Sequence, residues 1–213
     1  MLTPVTHLMY LHGFRSSPQS TKARMTAAWV RAQRPDLVWC CPQLPASPRA
    51  ALALVMDIVN GNANEMANGE GGSGAAAAPW PEGQFAVIGS SLGGFYATAV
   101  AQRTGCSAVL LNPAVNPARD LVKYIGEINA WHSDERLHFD AAFIDELHDL
   151  TPLLLTNLSR YFAVIAKGDE VLDWHEMTAR YAGCAIKLLE DGDHALSDYA
   201  EHLPDMTGFL GLS

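Results

Sequence analysis

The sequence predicts an α/β fold built on a mostly parallel sheet flanked by helices, and three observations carry that prediction. Short apolar runs alternate with longer amphipathic ones, the pattern of strands joined by crossover helices. At 213 residues the chain fits a single domain, one that can bury roughly 70% of the surface its unfolded chain exposes. A glycine-rich turn also stands where one apolar run gives way to a helical one, a junction at which such sheets present reactive groups.

The elements follow in order. HLMYL at 7–11 reads as a strand, 19–34 as a helix, and LVWCC at 37–41 as a strand. A helix over 48–60 opens after Ser47-Pro48, where a proline in the first turn gives up no needed donor. FAVIG at 85–89 is a strand, 92–104 a helix, AVLLN at 108–112 a strand and YFAVIA at 161–166 a strand. A helix over 173–182, a strand AIKLLE at 185–190 and a helix within 197–210 complete the series. Two stretches interrupt it. The segment 61–83, GNANEMANGEGGSGAAAAPWPEG, is too rich in Gly, Asn and Ala to order a backbone by apolar burial, and is expected to be a flexible surface loop at the amino ends of the strands. The segment 113–158 begins NPAVNP, carries Trp131, His132, His138 and His148, and is expected to form short helices that cap the carboxyl ends.

Composition narrows the function. Fourteen Lys and Arg stand against 23 Asp and Glu, a net charge of −9. That field repels phosphate backbones, so nucleic acid is not an expected partner. Cys40, Cys41, Cys106 and Cys184 lack paired metal-ligand or redox spacing and fall in or beside apolar runs, so they are expected to be buried reduced thiols, with no metal site. The first twenty residues lack a basic start followed by a long apolar stretch and a small-residue cleavage site, and nowhere do eighteen apolar residues run together. A cytoplasmic protein without membrane insertion is the expectation.

The strongest chemical signal is Gly89-Ser90-Ser91-Leu92-Gly93-Gly94, placed between FAVIG and the helical run FYATAVAQR. It is a G-x-S-x-G elbow in its required strand-to-helix context, which lifts the Ser91 hydroxyl out of the sheet. Gly89 and Gly94 also have the spacing of a phosphate-binding loop, but Phe95-Tyr96 follow where that loop needs Lys and then Ser or Thr.

A serine hydroxyl needs a general base, and a histidine should arrive after the last strand. His194, in AIKLLEDGDHAL, does so; of the other seven histidines, six fall in helical, cap or strand-start contexts and His12 lies in the loop after the first strand. An acid must orient that imidazole. Asp169 follows YFAVIA in AKGDEVLD, with Glu170 and Asp173 as the neighbouring alternatives; Glu170 is expected to point away and Asp173 to cap the next helix. The chain order Ser91, Asp169, His194 is that of the α/β-hydrolase fold. Oxyanion donors are expected from two backbone N–H groups, those of Leu92 and of Phe14 in Leu11-His12-Gly13-Phe14, with His12 shaping the loop.

YLHGFRSSPQSTKA at 10–23, PQLP at 42–45, GSSLGGFYAT at 89–98, NPAV at 112–115, GDEVLD at 168–173 and GDHAL at 192–196 together resemble the bacterial YqiA-like esterase family, in order along nearly the whole chain. The resemblance implies a compact α/β-hydrolase with esterase or thioesterase-like activity on acyl substrates, and triad roles for Ser91, Asp169 and His194; the chemistry of such a triad is expected to need no cofactor. Arg15 stands where an uncharged polar residue is usual in that family, and with Asn112 it is a candidate for substrate binding; a guanidinium there suits a carboxylate or phosphate group. The expected function is hydrolysis of a carboxylic ester or thioester through an acyl-serine. An acyltransferase using the same residues, and a non-catalytic binding protein retaining the fold, are the alternatives.

Overall fold

The computed structural model describes residues 4–62, 78–129 and 136–213. Six parallel strands form its main sheet: β1 (His7–Leu11), β2 (Val38–Cys40), β3 (Phe85–Ser90), β4 (Ser107–Leu111), β7 (Tyr161–Ala166) and β8 (Ala185–Leu189), in the order β2-β1-β3-β4-β7-β8. Around them lie α1 (Thr21–Gln33), α2 (Pro48–Val59), α3 (Leu92–Thr104), α4 (Pro117–Leu121), α5 (Ala142–Leu150), α6 (Trp174–Arg180) and α7 (Tyr199–Phe209). β5 (Gly126–Asn129) and β6 (Arg136–Phe139) form a separate antiparallel pair. Among the described residues no helix is long and apolar enough to cross a membrane.

The two-residue period of the strands divides the core. Met9, Leu11, Val87, Leu110 and Ile165 face one side, where they pack with Leu52 and Val55 of α2, Phe95 and Val100 of α3, Leu147 of α5 and Met177 of α6. Leu8, Tyr10, Ile88, Val109 and Val164 face the other, against Ala23 and Val30 of α1 and Tyr199, Leu203 and Met206 of α7. β3, β4 and β7 are covered on both faces, which is why their sequences run apolar without alternation. Each fully buried leucine among them stabilises the fold by about 1.5–3 kcal/mol.

Helix starts follow the sequence signals. Ser47 accepts the Ala50 N–H at 3.1 Å, with Pro48 in the first turn of α2. Asp173 accepts the His175 N–H at the start of α6. Cys40, Cys41 and Cys106 are buried free thiols, while Cys184 is half-buried. Burial pushes Cys40 and Cys41 up to about 12 and Cys106 up to about 11.

Two expectations need correction. The segment 113–158 is not made of short helices alone, because β5 and β6 pair within it; Trp131 and His132 lie outside the described residues. The loop expected over 61–83 lies largely outside them too, at 63–77, but its described end is ordered. Trp80 is buried, meets the His7 ring at a tilt and the Phe85 ring edge-on, and donates its backbone N–H to the Val59 carbonyl at 2.8 Å. An indole is large enough to anchor that end of the segment, which the composition of the whole stretch conceals.

Candidate active site

The parallel register aligns the carboxyl ends of β1, β3, β4, β7 and β8, and the chemically singled-out residues leave from those ends. Ser91 follows β3 with φ 56° and ψ −120°, a strained conformation for a residue with a side chain. The turn closes because glycines flank it: a Cβ on Gly89 would lie 2.2 Å from the Gly93 carbonyl oxygen, and one on Gly93 would lie 2.0 Å from that of Leu11. The Ser91 N–H donates to Leu111 at 2.9 Å, and its carbonyl accepts from Gly94 at 2.9 Å and Ala114 at 3.0 Å. Strain at Ser91 is thus held by its neighbours.

His194 lies in the loop after β8 and Asp169 in the turn after β7. His194 Nε2 is 3.1 Å from Ser91 Oγ, and its Nδ1 is 2.8 Å from Asp169 Oδ2. The Asp169 side chain is 0% exposed, so its charge depends wholly on protein donors. They are present: Oδ1 accepts the N–H groups of Val171 and Leu172, each at 2.8 Å. A carboxylate in its charged form takes only donors, so this contact suits a His194 ring that carries its proton on Nδ1 and accepts from the serine at Nε2. The two loops meet at Gly168, where a Cβ would stand 2.1 Å from the Gly192 carbonyl oxygen.

Of the alternative acids, Asp173 caps α6 as expected and also bonds the His175 ring. Glu170 does not point away: its Oε2 accepts the backbone N–H of His194 at 3.0 Å. Lys22 Nζ donates to the Ala195 carbonyl in the same loop. Burial lowers the Lys22 pKa, although Asp193 and Asp169 oppose that shift. Neither contact has a sequence signal, since each joins residues far apart in the chain.

Gly13 stands directly against Ser91, a Cβ there lying 3.3 Å from the Ser91 Cβ. Among the described residues, no backbone carbonyl accepts from the N–H of Phe14 or of Leu92, and both residues line one small cleft of about 60 Å³. Leu44, Tyr96 and Phe139 give that cleft apolar walls, while Arg15, Gln43 and His138 give it polar ones. Phe139, from β6, meets the Phe14 ring edge-on at 5.3 Å, which sets β6 against the loop that follows β1. His12 is buried and holds the loop: Nδ1 donates to the Gly13 carbonyl at 3.0 Å and Nε2 accepts the Leu44 N–H at 3.1 Å. Burial lowers its pKa, consistent with a neutral ring.

The two substrate-binding candidates part company. Arg15 lines the cleft, with a left-handed φ of 60°. Asn112 is 0% exposed, with its amide committed to the backbone of Ala166, Asp193 and His194, so it makes no contact with substrate. Among the described residues no three His, Cys, Asp or Glu side chains gather in a metal-binding arrangement.

A family model for an uncharacterised protein family, UPF0227, matches residues 7–211. The chain belongs to that family. It is the YqiA family that the sequence motifs resemble. Solved structures with the same architecture include mouse alpha/beta hydrolase domain-containing protein 10, at 14% identity and a TM-score of 0.63, covering 97% of this chain and 90% of that one. Est1E from Butyrivibrio proteoclasticus, with ferulic acid bound, aligns at 12% identity and a TM-score of 0.65, covering 98% and 89%. One of the metagenome-derived lipolytic enzymes LipS and LipT aligns at 16% identity and a TM-score of 0.64, covering 99% and 96%. At these identities the likeness is one of fold, and the fold of this UPF0227 member is that of the α/β-hydrolases.

Proposed function

We propose that this protein is a serine hydrolase that cleaves carboxylic esters or thioesters through an acyl-Ser91 intermediate. The observation that carries the proposal is the continuous relay from Ser91 Oγ to His194 Nε2 at 3.1 Å and from His194 Nδ1 to Asp169 Oδ2 at 2.8 Å. His194 takes the Ser91 proton as Oγ attacks the acyl carbonyl, and then gives it to the leaving alcohol or thiol. The negative charge that develops on the carbonyl oxygen is met by the backbone N–H groups of Phe14 and Leu92, two residues that line the same cleft. Water deprotonated by His194 then releases the acid. The hydrolase fold and the esterase and lipolytic enzymes among the structural neighbours support this reaction class.

The test is hydrolysis of a series of p-nitrophenyl esters and acyl thioesters by wild type and by Ser91→Ala. Wild type should turn over at least one acyl chain length, with kcat/KM rising as imidazole loses its proton, and Ser91→Ala should lose that activity by a factor of about 10³ or more. Undiminished hydrolysis by a folded Ser91→Ala variant would contradict the proposal.

A further inference from the structure

We infer that Asn112 is a positioning residue that holds the His194 imidazole in register with Ser91 and Asp169, an inference that rests on the reading of those three as nucleophile, base and acid. Asn112 follows β4, the strand that lies between the one leading to Ser91 and the one leading to Asp169. Its Oδ1 accepts the Ala166 N–H at 2.8 Å, at the end of β7 and three residues before Asp169. Its Nδ2 donates to the carbonyls of Asp193 at 3.0 Å and His194 at 3.3 Å. The adjoining backbone grips the nucleophile: Leu111 accepts the Ser91 N–H, and Ala114 donates to the Ser91 carbonyl. Residues 111–114 therefore hold the backbones of Ser91 and His194 together with the strand end that leads to Asp169.

The His194 loop leaves β8, at the edge of the sheet and two strands away from β4. Besides Ser91 and Asp169, which meet the His194 ring, the side chains of Glu170, Lys22 and Asn112 reach the backbone of that loop. Glu170 does so from an exposed position, where water can replace it, and Lys22 from a half-buried one, whereas the Asn112 amide is wholly buried and has no such substitute. The residue type suits the place. One acceptor and two donors match one N–H and two carbonyls. A φ of 39° lies in the left-handed region that asparagine enters more readily than most residues.

Asn112→Gly separates the amide from the backbone requirement, because glycine adopts that φ without strain. Two readouts apply: the long-range ¹H–¹⁵N spectrum of the histidine rings, which reports the His194 tautomer without any need for turnover, and steady-state hydrolysis of a p-nitrophenyl ester. Wild type should hold His194 in the Nδ1–H tautomer. Asn112→Gly should mix in the Nε2–H tautomer, with kcat lower by about tenfold to a hundredfold and KM within about threefold. A folded variant with an unchanged tautomer overturns the inference, whether or not kcat falls, since any loss then comes by another route. Should Asn112→Gly fail to fold, the isosteric Asn112→Asp, which aims a carboxylate at the two carbonyls, is held to the same outcomes. If wild type hydrolysed no ester, the proposed function would fail while the spectrum still decided the role of Asn112.

Discussion

At the scale of the residue, the local surroundings separate carboxylates that sit close together in the sequence. Asp169 is buried with three donors on its two oxygens, and Asp173 is exposed at a helix start. Asp169→Asn should keep the fold and lower kcat by about 10⁴, the scale of loss when a triad aspartate becomes asparagine and the imidazole takes the wrong tautomer. Asp173→Ala should lower the melting temperature modestly and leave kcat within about twofold. Comparing the two variants by thermal melts and kinetics checks the assignment, and an inactive, folded Asp173→Ala beside an active Asp169→Asn would reverse it. His12 yields a prediction for stability instead. Its folded pKa lies below the ordinary 6.5, so the unfolded chain binds the proton first as pH falls. The contribution of His12 to stability is then complete above about pH 6.5 and is lost as pH drops toward the folded pKa. Urea melts at pH 7 and pH 5 should show a smaller loss in His12→Asn than in wild type; an equal loss would mean that His12 is not held neutral.

At the scale of the element, the central strands and their helices were legible because burial on both faces writes itself as unbroken apolar runs. The β5–β6 hairpin was not. Its strands, GEIN and RLHF, are four residues each, GEIN carries no clean alternation and that of RLHF is too short to stand out, so their pairing reflects tertiary context more than propensity. The hairpin delivers Phe139, 1% exposed, between Phe14 and Phe143. Phe139→Ala should cost about 3 kcal/mol or more in a denaturant melt and raise KM more than it lowers kcat, since the lost ring is a wall of the cleft. Unchanged KM in the folded variant would detach the hairpin from substrate binding. The segment 61–83 gives the opposite expectation. Its described ends, at Val59–Asn62 and Trp80–Phe85, meet at the amino side of the sheet, remote from Ser91. Replacing 63–77 with a short Gly/Ser linker while keeping Trp80 should leave ester hydrolysis within a few-fold of wild type, and a hundredfold loss in a folded variant would contradict that placement.

At the scale of the whole molecule, parallel register turns five distant strand ends into one edge, and this is why a site spread from Gly13 to His194 was partly readable in one dimension. The order of strand, elbow, acid and histidine is a property of the topology, so each residue announces itself by following an apolar run. What could not be read is whatever depends on a single long-range bond: Asn112 meets Asp193 across 81 positions, and Glu170 meets the His194 N–H across 24. Neither motif spacing nor periodicity encodes such contacts. The central claim is that this architecture makes one serine nucleophilic. It is tested most directly by treating the protein with a fluorophosphonate and mapping the adduct by peptide mass spectrometry. Wild type should carry a single adduct on Ser91, with His194→Gln labelled far more slowly and Ser91→Ala not at all. Wild type left unlabelled under conditions that label a control serine hydrolase, or labelled at another residue, would contradict it.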